Sequence, residues 1–388
     1  MLTPDAVREV FDNVKINEGF GKFEAFLSNA FLRGGISVKE MSRLLRLPVP
    51  VVSAIKNECK RRGVVDKLKS GINLTPDGND YVRNFMGYGS VEPEKILRIT
   101  DSPVIETDSF QDEIKTLNRI YERRPTVDTT LDQSLCTAET GIKRIIYMIK
   151  TCGFIGKEII FLGDDDLTCI AAALMSKRLG VSAAALAVLD IDERILSYIN
   201  ESSSELEAQI ETVRCDLRNE FPKNHFGKYD AVFTDPPYTV PGISLFVKRG
   251  VNALKDGPGN LIYLSCSSSG PEMRLEAQKM FCDSGLVIMQ ILERFNEYHG
   301  AQILGGVSDM HLLSTANETI LPNDDIIDKI IYTNELNRTM RSYYCGSCGK
   351  KYSVGHSKQY ATVEKLKEAG CESCGNNNFE LNERVKRL

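Results

Sequence analysis

No stretch of the 388 residues approaches eighteen uninterrupted apolar positions, which excludes a membrane-spanning helix and a membrane partner. The opening MLTPDAVREVFDN lacks the basic-then-apolar order of a secretory leader, so the expectation is a cytoplasmic protein. No internal repeat is present, which sets aside solenoid architectures. Histidine is scarce at four residues; His225, His299 and His311 show no metal-ligand spacing, and no Ser/His/Asp set suggests itself. What is present is ordinary for a soluble globular protein: 42% hydrophobic and 26% charged residues, on a length that implies two or three domains. The eleven cysteines are odd in number, and four fall in two C-x-x-C pairs, a pattern of a reducing compartment with a metal site and not of a disulfide framework.

Charge is unevenly spread. Residues 1–85 carry 14 Lys/Arg against 10 Asp/Glu, and residues 341–388 carry 9 against 5. The middle, 86–340, holds 25 against 38, a net of −13. An acidic centre is a poor host for a phosphate backbone and a good one for a cation.

The first 85 residues read as a winged helix. Ser37 with Glu40 three residues on forms a capping box for a short helix that ends near Pro48. A second helix over 51–62 stops at Gly63, and two short strands, 64–68 and 72–74, would form the wing. Lys56, Lys60, Arg61 and Arg62 on the second helix offer phosphate contacts but little that reads bases, so a nucleic-acid partner is admitted and not favoured. Residues 86–110, with Gly87, Gly89, Pro93 and Pro103, read as a linker.

Residues 111–335 read as alternating strand and helix. Strands are expected at 157–162, 184–190, 210–215, 229–234 and 261–265, and a late antiparallel pair at 286–292 and 310–315. This is an α/β fold with a Rossmann-like, methyltransferase-type doubly wound sheet, whose ligands bind beyond the carboxyl ends of the strands. A nucleotide-binding sheet usually has a glycine-rich turn after its first strand. Here a single Gly163 precedes Asp164, Asp165 and Asp166. These acids would repel a pyrophosphate, which disfavours a dinucleotide, whereas a phosphate-free sulfonium nucleotide is admissible. One aspartate suffices to cap the following helix; three in succession point to ligand binding. Asp190 stands where such folds place an acid for ribose hydroxyls, and Asp192 is expected to cap the next helix. Asp216 is placed to accept from an adenine amino group. Asp235-Pro236-Pro237-Tyr238, beyond the fourth strand, combines a carboxylate, stiffened backbone carbonyls and a flat phenol, a grouping suited to gripping an N–H and aiming its lone pair at an electrophilic carbon. Cys169 and Cys266 have no basic partner beside them and read as packed thiols.

Cys345-Gly-Ser-Cys348 and Cys371-Glu-Ser-Cys374, 22 residues apart, form a zinc-ribbon pattern over 336–388. Four thiolates close a tetrahedral site, so the expected metal is structural zinc.

On FLGDDDLT (161–168), DQSLCTAET (132–140), VLDID (188–192) and FTDPPYT (233–239), the chain resembles the branched-chain polyamine synthases, the bis(aminopropyl)spermidine synthase family, over roughly residues 1–320. The resemblance implies an aminopropyltransferase that uses decarboxylated S-adenosylmethionine as co-substrate and the secondary amine of spermidine or a similar polyamine as acceptor. It implies roles for Asp132 and Gln133 in substrate binding, and it admits a homodimer. The ribbon departs from the family pattern, and the charge density is below that of hyperthermophile proteins.

The physical expectation runs parallel. An aspartate facing the tail of the nucleotide attracts an amine and repels the carboxylate of ordinary S-adenosylmethionine, by about 4 kcal/mol at roughly 4 Å with an effective dielectric near 20. Asp166 or Asp235 would take the proton of the attacking nitrogen, while Pro236 and Tyr238 orient it. The alternative is an S-adenosylmethionine-dependent N-methyltransferase acting on nucleic-acid bases. A ligand-sensing transcription factor is a third reading, which salt-dependent DNA binding without turnover would favour.

Overall fold

The computed structural model describes residues 2–386 except 15, 17–18, 268–269, 300–305, 327–329, 334–338, 356–357 and 361. The chain opens with helices α1 (Pro4–Val14), α2 (Phe20–Arg33), α3 (Val38–Leu45) and α4 (Val49–Arg61). The capping box of α3 is present: the Glu40 amide donates to Ser37 Oγ and the Ser37 amide to the Glu40 carboxylate, each at 3.1 Å. α4 starts two residues earlier than its periodicity suggests, because Pro50 is tolerated in a first turn. In place of two wing strands there are isolated antiparallel bridges, Ile36↔Ile72 and Val65↔Leu74. The Asp66 carboxylate accepts the amides of Leu68 and Lys69, curling those residues out of any ladder. Two of the basic residues expected to face phosphate are tied up, Arg61 on Glu58 and Arg62 on Glu9.

Helices α5 (Pro76–Phe85) and α6 (Pro93–Asp101) follow. The stretch expected as a linker thus contains a helix, and α6 buries Ile96 and Ile99. A continuous apolar cluster runs from Phe23, Phe26 and Ile55 through Met86 and Ile99 to Ile145, Ile159 and Phe161, so the N-terminal helices share a core with one face of the sheet. The chain passes between them at Gly87, where φ is +77° and a Cβ would stand 2.3 Å from the Ser182 carbonyl oxygen; only glycine fits.

Helices α7 (Gln111–Arg123) and α8 (Ala138–Lys150) precede the sheet. Its strands are β1 (Glu158–Leu162), β2 (Ala185–Asp190), β3 (Glu211–Arg214), β4 (Ala231–Thr234), β5 (Leu261–Cys266), β6 (Leu286–Glu297) and β7 (Val307–Thr315), in the order β3-β2-β1-β4-β5-β7-β6. The first five are parallel, while β7 runs antiparallel to β5 and to β6, as expected for the late pair. β6 continues to Glu297, five residues beyond its apolar stretch, through register irregularities that re-aim its end. Helices α9 (Thr168–Leu179), α10 (Glu193–Glu205), α11 (Val240–Ala253) and α12 (Pro271–Asp283) cover the sheet. The chain direction of winding changes at β1, between β2 and β4, and opens a crevice at the carboxyl ends there. Among the described residues no helix is long and apolar enough to cross a membrane.

A three-stranded antiparallel sheet in the order β10-β8-β9 closes the chain, from β8 (Thr339–Cys345), β9 (Lys351–Val354) and β10 (Phe379–Lys386), with the short helix Val363–Ala369. Its own small core comprises Tyr343, Tyr352, Val354, Leu366 and Phe379 beside Cys345 and Cys371.

Candidate active site

The crevice is an open cleft lined by Gly163, Asp165, Asp190, Asp216, Asp235, Asp132 and Gln133, with Pro237, Phe246 and Tyr332 among its apolar walls. Sequence motifs up to a hundred residues apart meet here because each follows a strand of the parallel sheet or the loop before α8. Asp164, Asp166, Pro236 and Tyr238 stand outside this lining.

The acidic triplet divides into three roles. Gly163, with φ +67°, leaves β1 by donating its amide to the Leu189 carbonyl. Asp164 is 1% exposed, and its two oxygens accept the amides of Thr168 and Cys169, each at 2.9 Å. It caps α9 and stands outside the cleft lining, whereas the sequence led us to expect it among the ligand-binding acids. Asp165 faces the cleft; one oxygen accepts from Arg124 Nη2 at 3.1 Å and from the Ser134 amide at 3.2 Å. Burial, and after it the charge of Asp166, pushes the Asp165 carboxyl well above the usual range. Asp166 is 2% exposed and turns inward, accepting from the Cys136 amide and from Arg144 Nη1 at 2.8 Å.

Asp235 reaches the cleft from the end of β4. It accepts from Arg144 Nη2 at 2.7 Å, from the Tyr298 hydroxyl at 2.6 Å and from the Tyr238 hydroxyl at 2.8 Å. Burial pushes its carboxyl up to about 6, against the pull of Arg144 and both phenols. The two phenols are raised well above their ordinary value, by burial and then by the Asp235 charge, and so stay protonated donors. The Pro237 carbonyl, by contrast, accepts the Thr239 amide at 2.7 Å and is spent within the turn.

Asp190 accepts two backbone amides, those of Asp164 at 3.0 Å and Asp192 at 2.8 Å, and burial raises its carboxyl to about 6. Asp192 caps α10 as expected and receives Gln133 Nε2 at 2.9 Å. Asp216 is gripped by Arg218 at 2.7 Å, and Asp132, in the left-handed region, accepts the Thr333 amide at 2.6 Å. Cys169 and Cys266 are buried thiols whose pKa is raised by burial.

This geometry revises the electrostatics. Asp165 pairs with Arg124, Asp166 and Asp235 share Arg144, Asp192 pairs with Arg194, and Asp216 with Arg218. Arginines therefore hold Asp165, Asp216 and Asp235 at the mouth of the sheet, while Asp190 is held by backbone amides, so the acidic centre read from the net of −13 is largely countered locally. Selection against a carboxylate narrows to the oxygens these pairs leave over.

Four residues escaped the sequence reading. Arg144, on α8, lies among isoleucines in IKRIIYMIK, where a basic residue passes for the polar face of an amphipathic helix. Tyr298 follows β6, beyond its apolar run. Arg124 sits in a loop with no motif around it. Tyr332 belongs to the segment after the sheet; hydrogen bonds from Thr239 Oγ1 to the Ile331 carbonyl and from the Thr333 amide to Asp132, each 2.6 Å, pin it on both sides. Of these, only Arg144 carried a signal, a cation at the i, i+3, i+4 spacing of Tyr147 and Met148, both buried.

In the terminal module, Sγ atoms of Cys345, Cys348, Cys371 and Cys374 all lie within 4.8 Å of one another. Cys345–Cys374 and Cys348–Cys371 approach to 3.5 and 3.4 Å. Four convergent thiols at this spacing fit a tetrahedral zinc with no open position.

Comparison with known proteins places this geometry in a lineage. Residues 112–342 match the model of the branched-chain polyamine synthase A C-terminal domain. An uncharacterized protein of Methanocaldococcus jannaschii is 33% identical over 98% of this chain and 93% of its own length. The N(4)-bis(aminopropyl)spermidine synthase of Thermococcus kodakarensis is 31% identical over 75% of this chain and 83% of its own. In fold, the chain is similar to the branched-chain polyamine synthase of Thermus thermophilus, solved with N4-aminopropylspermidine and 5'-methylthioadenosine, at a TM-score of 0.51 and 20% identity over 85% of this chain and 98% of that one. The matched span holds all the aspartates of the cleft together with Arg144 and Tyr332, and on that footing the chain belongs to the branched-chain polyamine synthase family.

Proposed function

We propose that this protein transfers aminopropyl groups from decarboxylated S-adenosylmethionine to the secondary amine of spermidine or a similar polyamine, giving branched products. The observation that carries the reading is the family match over residues 112–342, which takes in every aspartate of the cleft. The cleft gathers five aspartates beside apolar walls, and Gly163 with the capping Asp164 stands where a phosphate-binding glycine turn would be.

Asp190, at the end of β2, takes the ribose hydroxyls, and Asp216 beside Tyr332 lies at the base end of the nucleoside. Asp165 and Asp235 bracket the reacting end. The lone pair of the acceptor nitrogen attacks the propyl carbon, the carbon–sulfur bond breaks, and the sulfonium leaves as the neutral thioether. The proton shed by the nitrogen passes to Asp235. A carboxyl pushed up to about 6 is a better base near neutral pH than an ordinary aspartate while still mostly ionised there. Asp166 is the weaker candidate, because it is 2% exposed and stands outside the cleft, whereas Asp235 lines it. Tyr238 acts through Asp235, fixing the carboxylate rather than touching the amine. The four cysteines hold a structural zinc and take no part in the displacement.

The purified protein, incubated with spermidine and either sulfonium nucleotide, should yield aminopropylated product masses with the decarboxylated form alone. Methyl transfer to nucleic-acid bases from ordinary S-adenosylmethionine, with no aminopropyl transfer, would overturn the reading.

A further inference from the structure

We infer that Arg144 is the positioning residue that makes Asp235, and not Asp166, the proton acceptor, by gripping both carboxylates in one buried guanidinium and turning Asp166 away from the cleft. The inference rests on aminopropyl transfer being the reaction. Arg144 is 0% exposed in the middle of α8. Nη1 donates to Asp166 at 2.8 Å and to Thr168 Oγ1 at 3.0 Å, Nη2 to Asp235 at 2.7 Å, and Nε to Asn296 Oδ1 at 2.9 Å. One face of the guanidinium lies 4.9 Å from the Phe233 ring centroid. Every edge of the fork is engaged, so its plane fixes where both carboxylates point.

A buried cation without equal countercharge is costly, and two buried carboxylates without a cation cannot both stay ionised. The guanidinium resolves both problems and leaves a triad of net charge −1. Within it, Asp166 turns its second oxygen inward to the Cys136 amide, while Asp235 turns its second oxygen to the Tyr238 hydroxyl and alone of the two lines the cleft. A proton arriving from the substrate side therefore meets Asp235.

The titratable groups facing the triad come from several elements: Tyr121 of α7, Cys136 before α8, Asp165 after β1, Tyr238 after β4, Cys266 of β5 and Tyr298 after β6. Burial holds the phenols and thiols neutral, and Asp165 has its own partner in Arg124. The charge that keeps Asp235 ionised is thus that of Arg144.

The test compares pH profiles of kcat for the wild type, Arg144→Met, Arg144→Lys and the double variant Arg144→Met with Asp166→Asn. Loss of the guanidinium should move the acid limb of Arg144→Met to higher pH by about one unit or more. Removing the Asp166 charge as well should bring it part of the way back. Arg144→Lys should keep the wild-type limb, because the charge remains, but lose at least about tenfold in plateau kcat with the nucleotide KM little changed, since an ammonium cannot hold two carboxylates in a planar fork. A purely structural residue would lower the plateau without moving the limb. Superimposable limbs in wild type and Arg144→Met would overturn the inference, and should that variant not fold, a wild-type plateau in Arg144→Lys would do so. Absence of aminopropyl transfer by the wild type would instead overturn the assigned reaction.

Discussion

Asp235 and Asp166 share a guanidinium yet should fail differently when amidated. Asp235→Asn keeps the size of the side chain and can still receive the phenols, but it cannot accept a proton; kcat should fall about 10²- to 10⁴-fold with little change in stability to denaturant. Asp166→Asn sets its NH2 group against a fixed donor, the Cys136 amide or Arg144 Nη1, with no hydroxyl to turn round, a lost buried hydrogen bond of about 1–3 kcal/mol. It should therefore show first in a denaturant melt and only second in turnover. The wild-type pH profile carries a sign that can be checked as well. Burial raises the Asp235 carboxyl to about 6, so the ionised base is lost as pH falls through 6. The rate should be level above about pH 7 and drop tenfold per unit below about pH 5; a profile flat to pH 4 would exclude Asp235 as the base. Asp235 was legible in the sequence because a carboxylate, two prolines and a tyrosine follow an apolar strand. Arg144 was not, because its meaning comes from two partners 22 and 91 residues later in the chain.

At the level of elements, the sheet was readable nearly strand by strand, since five short runs each ended in a polar turn, four of them carrying an aspartate. The wing was only partly so: its two expected strands pair antiparallel at Val65↔Leu74, beyond which the Asp66 carboxylate captures the Leu68 and Lys69 amides. The segment after β7 was not, because it has neither helical nor strand periodicity and is held by side-chain-to-backbone bonds. That segment places Tyr332 as a cleft wall with its ring 5.8 Å from the Arg218 guanidinium, which in turn holds Asp216. A wall of this kind contributes binding without touching the reacting carbon. Tyr332→Ala should raise the nucleotide KM roughly tenfold, the equivalent of about 1.4 kcal/mol, and leave kcat within about twofold. Steady-state kinetics with the nucleotide varied at saturating polyamine decide it. A fall in kcat at unchanged KM would place the ring at the chemistry instead.

Across the whole molecule, two kinds of core behave differently. The N-terminal helices and the sheet share one apolar cluster and should melt together, whereas the ribbon has only a handful of buried side chains around its cysteines. A core that small does not hold a fold by burial alone, and the four convergent thiols are placed to supply the difference by binding a metal. The charge balance of the sequence pointed to a cation-binding centre, but it could not show that arginines from α8 and the neighbouring loops would fold back onto the same acids. Cysteine spacing did identify the ribbon, because a four-cysteine knuckle pair is written in local sequence alone. One zinc per chain is expected by elemental analysis. Its removal by a chelator should free the backbone amides of β8, β9 and β10 to exchange with deuterium while those of β1 and β4 stay protected. The segment around Tyr332 is pinned to Thr239 and Asp132 by bonds that do not involve the ribbon. Aminopropyl transfer by the metal-free protein should consequently persist to within a few-fold, and a collapse of activity in step with ribbon exchange would show instead that the cleft wall is held in place by the metal.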